Sequence, residues 1–241
     1  TLHNTLFPYT TLFRSMLIVQ LADGVRLPSI EAAARPDAWS LDQLSRFAEY
    51  ARSNGLQFVP ELKLLSQQGK LLKGHYPELM FNSETYDPRK ESTYELVSQV
   101  IDDVTGAVEP EVLHIGHDEV AGVGHGEERK DLAPGEKPLP PGLFLRHVRR
   151  VHELLQARGV EAWMWGDMLV APSEFPEMLD RHLHGVPAYT KLRGRLPEKI
   201  VICDWHYSDR QEAFPSLRAF LRSGHPVLGA TWRNAPTTRN F

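Results

Sequence analysis

The chain has 241 residues, 41% of them apolar and 24% charged, with a formal net charge of −4. Such a composition buries a sizeable core and argues against general disorder, while the mild acidity argues against a nucleic-acid surface, which needs a basic excess. No apolar run reaches the roughly 20 residues of a membrane-spanning helix, and a single cysteine, Cys203, excludes an intrachain disulfide and a cysteine-built zinc cage.

Residues 5–15, TLFPYTTLFRS, resemble the in-frame translation of a sequencing adapter. They lack the basic start, continuous apolar centre and small-residue cleavage site of a signal peptide. Residues 1–15 are therefore set apart as foreign, and the domain is read over residues 16–241. Met16–Leu21 predicts a first strand, followed by a polar loop with Asp23, Gly24 and Pro28. Ser40 predicts an N-cap, with Leu41, Leu44, Phe47, Ala48 and Ala51 on one helix face and Gly55 at the stop. Leu56–Leu62 reads as a strand with Pro60 near its end, where a missing N–H costs little. A helix over residues 93–104 turns Tyr94, Val97, Val100, Ile101 and Val104 inward. The stretch 111–120 reads as a strand running into a glycine- and proline-rich loop over 121–142. A third helix, 143–158, buries Leu145, Val148, Val151 and Leu155. Strands follow at 160–169, 199–205 and 226–232, with short helices at 177–181 and 215–223.

Six strands separated mostly by helices imply a parallel sheet of the α/β class. No Gly-x-Gly-x-x-Gly follows the first strand, so a dinucleotide-binding sheet is poorly supported. The chemically interesting residues cluster just after strands, as at the active rim of a (β/α)8 TIM barrel. Six strands fall two short of eight, so the expected architecture is a truncated TIM barrel.

The strongest local signal is His114-Ile-Gly-His117-Asp118-Glu119-Val120. Two adjacent carboxylates at a strand end point in different directions. One can then protonate a leaving-group oxygen while the other holds a different part of the substrate. Tryptophans are the second signal. Trp165 and Trp205, beside Asp167 and Tyr207, suit the C–H faces of a sugar or the wall of an acetamido pocket. Trp163 reads as core.

These motifs carry a resemblance. HIGHDEV resembles the His-x-Gly-x-Asp-Glu strand of family 20 glycoside hydrolases, the β-N-acetylhexosaminidases. VPELKLL resembles that family's Pro-Glu-containing third strand, AWMWGDML its fifth and VICDWHY its sixth, in matching order over residues 16–234. On this resemblance the chain carries barrel strands two to seven. The resemblance implies removal of terminal β-linked N-acetylhexosamine from glycans by a substrate-assisted retaining mechanism, with no cofactor or metal and no nucleic-acid or membrane partner. Glu119 matches the acid/base, and Asp118 the residue that orients the acetamido group and steadies its developing charge. Trp165 and Trp205 match pocket walls. Asp167, Tyr207, Trp232, Asp23 and His114 complete the expected substrate-binding set. Two departures stand out. Lys63 and Gln67 occupy positions where the family often has an Asp and a His that support the acid, and a Lys63 facing Glu119 would lower the acid's pKa. Trp232 stands where a tyrosine is expected, with Tyr207 as the nearest substitute.

Two other readings remain. A non-catalytic carbohydrate-binding barrel would keep the pocket with the altered Lys63 and Gln67. A metal-dependent hydrolase would use some of the 11 histidines, such as His114, His117 and His125 or the His182-Leu-His184 pair. That pair follows an expected helix rather than a first strand, and no His-Glu-x-x-His occurs. Cys203 reads as a small buried residue. The EERKD run at 127–131 and the Arg146, Arg149, Arg150 cluster read as solvated surface.

Overall fold

The computed structural model describes residues 16–124, 131–179 and 182–241. The expectations for residues 1–15, for His125 and for nearly all of the EERKD run lie outside the described residues. Six strands, β1 (Met16–Gln20), β2 (Gln57–Leu64), β3 (Val112–Gly116), β4 (Glu161–Trp165), β5 (Val201–Trp205) and β6 (Val227–Ala230), form one sheet in sequence order. Every neighbouring pair is parallel. The sheet curls into part of a TIM barrel, six strands of the eight that a closed one has.

Side-chain alternation sorts the strands into two layers. Phe58, Leu62, Leu113, Ile115, Ala162, Met164 and Ile202 face outward and join the main core under the helices. Val59, Val112, Trp163 and Cys203 face inward and form a second, smaller cluster with Ile18, Val201 and Leu228 around it. Trp163 and Cys203 are thus core, as the sequence implied.

The helices on the outer face are α1 (Leu41–Ser53), α2 (Glu91–Val108), α3 (Pro141–Gln156), α4 (Pro187–Thr190), α5 (Pro215–Arg222) and α6 (Ala235–Asn240). Ser40 caps α1 in a reciprocal box: its hydroxyl accepts from the Gln43 backbone N–H at 3.2 Å, and the Gln43 side chain accepts from the Ser40 N–H at 2.9 Å. The apolar stripes of α2 and α3 are buried at the positions their periodicity marks.

Several expectations need correction. Pro60 lies inside β2 rather than near its end, and it is tolerated because the ladder to β3 begins only at Glu61. The stretch 111–120 is strand only as far as Gly116, and the expected strand at 160–169 ends at Trp165 and gives way to a 3-10 turn at Asp167–Leu169. Residues 177–179 form turns rather than helix, between Pro172, Pro176 and the end of the described segment. The helices α4 and α6, each opened by a proline in its first turn, were not foreseen; they have six residues or fewer, too short for a readable apolar period.

Candidate active site

The carboxylate pair sits on a left-handed turn, not on a strand. Gly116, His117 and Glu119 have φ of 72°, 72° and 46°. The β-region alternation assumed for Asp118 and Glu119 therefore does not apply, and backbone strain aims the two side chains instead. Gly116 is required where it stands, since an added Cβ would lie 3.0 Å from the Leu62 carbonyl oxygen.

A buried relay holds this turn. The His117 ring spans the Ile115 carbonyl oxygen at 2.9 Å and His147 Nδ1 at 2.8 Å, and His147 Nε2 meets the Tyr86 hydroxyl at 2.9 Å. One proton assignment satisfies every atom. Tyr86 O–H donates to His147 Nε2, His147 Nδ1–H donates to His117 Nε2, and His117 Nδ1–H donates to the carbonyl. Burial keeps both rings neutral, with the His117 imidazole pushed down to about 4 and His147 well below its usual value. His147 carries an available sequence signal: a lone histidine within the apolar stripe of α3.

Asp118 is 8% exposed, whereas Glu119 is half-buried. The Asp118 Oδ2 atom accepts from Lys63 Nζ and from Gln67 Nε2, both at 2.7 Å. The same Gln67 amide donates to Glu119 Oε2 at 3.3 Å, so it bridges both carboxylates. Lys63 thus forms its ion pairs with Asp118 and, at 3.4 Å, with Glu61. That corrects the expectation of a lysine directed at Glu119: Lys63 shares the inward face of β2 with Glu61, two residues back. Burial pushes the Asp118 carboxyl up to about 6 against the pull of the Lys63 ammonium, and the nearby Asp167 charge adds to the rise. Burial alone would lower Lys63, but Asp118 and Glu61 more than offset it and hold the ammonium above its usual range.

The polar chain continues into the aromatic wall. Trp165 Nε1–H donates to Glu61 Oε1 at 2.9 Å, which joins the indole to Asp118 through Glu61 and Lys63. Glu61 stands among the rim residues and in the Pro-Glu motif that the sequence marks, but the sequence gives it no role. Trp205 packs on Tyr207 with ring centroids 5.0 Å apart, and Tyr207 packs on Trp232 at 5.8 Å. Burial raises the Tyr207 phenol, and the charges of Asp118 and Glu61 raise it further, so this wall senses the carboxylates.

Two of the expected substrate-binding residues, Asp167 and His114, make contacts that support the site's backbone. Asp167 is 1% exposed, and its Oδ2 atom lies 2.9 Å from both the Glu119 backbone N–H and His184 Nδ1. It holds the turn at Glu119. His184, read with His182 as a possible metal pair, belongs to this support. His114 is fully buried; its Nδ1 accepts from the Gly116 N–H at 3.1 Å and its ring lies 4.5 Å from Trp165, so it underlies the indole. Asp23 is exposed on a turn after β1. Trp232 is 57% exposed at the far end of the aromatic path, with Arg233 over its ring. The assembly offers a half-buried carboxylate beside a buried one, next to aromatic ring faces, at the C-terminal ends of the strands.

Residues 24–231 match the model for glycosyl hydrolase family 20, catalytic domain. Hexosaminidase D of Bos taurus is 26% identical over 176 residues, covering 70% of this chain and 47% of that protein. The β-N-acetylhexosaminidase from Bacteroides fragilis NCTC 9343 superposes with a TM-score of 0.61 at 21% identity, over 90% of this chain and 43% of that one. The GH20 β-N-acetylhexosaminidase from Streptomyces coelicolor A3(2) gives 0.63 at 17% identity, over 90% and 42%. At these identities the two solved structures speak to the fold alone, and this chain spans less than half the length of each relative.

Proposed function

Because the chain belongs to glycosyl hydrolase family 20, we propose that it forms part of a catalytic barrel that removes terminal β-linked N-acetylhexosamine from glycans. In this reading residues 16–241 supply barrel strands two to seven, and residues 1–15 are foreign to the domain. The 2-acetamido carbonyl oxygen of the substrate attacks the anomeric carbon while Glu119 gives its proton to the leaving oxygen. The product of this step is an oxazolinium ion. Asp118 accepts from the acetamido N–H and stabilises the positive charge that develops there. Glu119 then takes a proton from water as that water attacks the anomeric carbon, which restores the acetamido group with retention. Trp165 and Trp205 wall the acetamido pocket, Tyr207 and Trp232 extend the apolar face, and Asp23 stands at the rim.

The observation that carries this reading is the unequal burial of two carboxylates bridged by one amide. The outer one is accessible to a leaving oxygen, and the inner one is buried where an amide would be gripped. The test is hydrolysis of a chromogenic β-N-acetylglucosaminide by the longest protein that contains this chain. Glu119→Gln should lower kcat by about 10²–10⁴-fold, and Asp118→Asn should slow N-acetyl substrates far more than analogues without the acetamido carbonyl. An unchanged rate in Glu119→Gln would overturn the assignment.

The ion pair between Lys63 and Asp118 favours one second reading, a barrel that binds N-acetylhexosamine without cleaving it. Saturable binding of N-acetylglucosamine with no turnover in the same protein would select it.

A further inference from the structure

Among the described residues, one cluster outside the carboxylate pair brings metal-ligating side chains together. It comprises His182, His206 and Asp209, whose ligand atoms lie within 4.8 Å of one another. All three are buried, at 3%, 0% and 2% exposure. His182 precedes α4, His206 follows β5, and Asp209 lies in the next loop, so their convergence is a product of the fold. We propose that this cluster is a binding site for a divalent transition-metal ion of the zinc class, held by His182 Nδ1, His206 Nδ1 and Asp209 Oδ2.

The spacing fits. Asp209 Oδ2 lies 3.2 Å from His182 Nδ1 and 3.3 Å from His206 Nδ1. Two ligands of a tetrahedral zinc ion, each about 2.0–2.1 Å from the metal, are about 3.3–3.4 Å apart. The surroundings orient each ligand. Asp209 Oδ1 accepts from the Leu179 N–H at 2.9 Å and from Gln211 at 3.3 Å, which leaves Oδ2 for the cluster. His206 Nε2 lies 2.9 Å from Ser216 Oγ and 3.2 Å from Asp204 Oδ1, and the Ser216 hydroxyl donates to Asp204 Oδ2 at 2.7 Å. Ser216 has spent its only proton on Asp204, so His206 Nε2 is the donor in this contact. A histidine that donates its far N–H to a carboxylate is the usual outer support of a metal ligand.

His206 Nδ1 faces the same carboxylate: it is fully buried and ion-paired with Asp209 Oδ2 at 3.3 Å. A metal ion would take the place of the proton between these two groups. Three protein ligands leave a fourth position for water. The ion would also brace the wall described above, since the His182 ring lies 5.1 Å from Trp205 and 5.9 Å from Tyr207. Nothing in the metal assignment depends on the glycosidase reading, because its test requires no turnover.

The experiment uses the full chain, without a polyhistidine tag, stripped by chelator and titrated with zinc chloride by calorimetry. Cobalt chloride serves as a parallel spectroscopic probe. One zinc per chain is expected, with affinity falling at least about 100-fold in Asp209→Asn and in His206→Gln, and about 10-fold or more in Ser216→Ala. His75→Gln, away from the cluster, should bind as the parent does. If the ligand variants fail to fold, the cobalt form of the parent decides, through visible bands of a low-symmetry four- or five-coordinate site. Zinc uptake unchanged by the ligand variants, or no stoichiometric uptake, overturns the proposal. So does a proton found on His206 Nδ1 by nitrogen NMR in the presence of saturating zinc.

Discussion

The Asp118 carboxyl is the most informative single group. Burial moves it from an ordinary 3.8 up to about 6, and the Lys63 ammonium at 2.7 Å limits the rise. If catalysis needs the Asp118 anion, kcat/KM should climb with pH through an acidic limb near 6. Lys63→Met removes the restraining charge, so the limb should move to higher pH in a pH–rate profile of the protein that carries the whole barrel. An unmoved limb would assign it to another group. The linkage has a definite sign. A carboxyl raised in the folded state stabilises it most fully below the unfolded pKa, and that contribution is lost as pH rises through the folded value. The Tm contribution of Asp118 should therefore decline between about pH 4 and 6. Asp118→Asn should flatten that decline in a calorimetric pH series. Lys63 and Gln67 were readable as departures from a family pattern, but their partners were not. Sequence spacing does not say which of two adjacent carboxylates a four-carbon side chain meets.

The elements divide into those set by local chemistry and those set by neighbours. The capped helix α1 and the stripes of α2 and α3 follow from side-chain period alone. The end of β3 does not. The stretch 111–120 reads as strand, yet the chain leaves the sheet at Gly116 because tertiary contacts hold His117 and Glu119 in the left-handed region. The Tyr86–His147–His117 relay is the main such contact, and it joins a loop, a helix and the carboxylate turn. His147→Phe should leave His117 Nε2 buried without a partner and destabilise the fold by about 1–3 kcal/mol. Denaturant unfolding measures that change. A loss of turnover in the folded variant should accompany it, as kcat rather than KM, because the relay positions Asp118 and Glu119 and does not touch the sugar. A variant with parental stability and parental kcat would show the relay to be dispensable.

At the scale of the molecule, β1 and β6 are the edges of the described sheet, each with one strand neighbour. Parallel strands with unpaired edges are templates for further pairing. The isolated piece covering residues 16–241 should self-associate in a concentration-dependent way, measurable by light scattering. A monodisperse, cooperatively unfolding monomer would contradict that expectation. No helix among the described residues is long and apolar enough to cross a membrane.

The sequence by itself determined the alternation of strands and helices, the α/β class, the family and the candidate carboxylate pair. Each depends on period or on contiguous motif, and both survive in one dimension. Only the tertiary structure decided that Asp167 and His114 support the site from beneath, that Glu61 holds an indole, and that His182 parts from His184 to meet His206 and Asp209. Those assignments depend on which side chains meet across strands dozens of residues apart, and the curl of the sheet, not the order of the residues, sets that proximity.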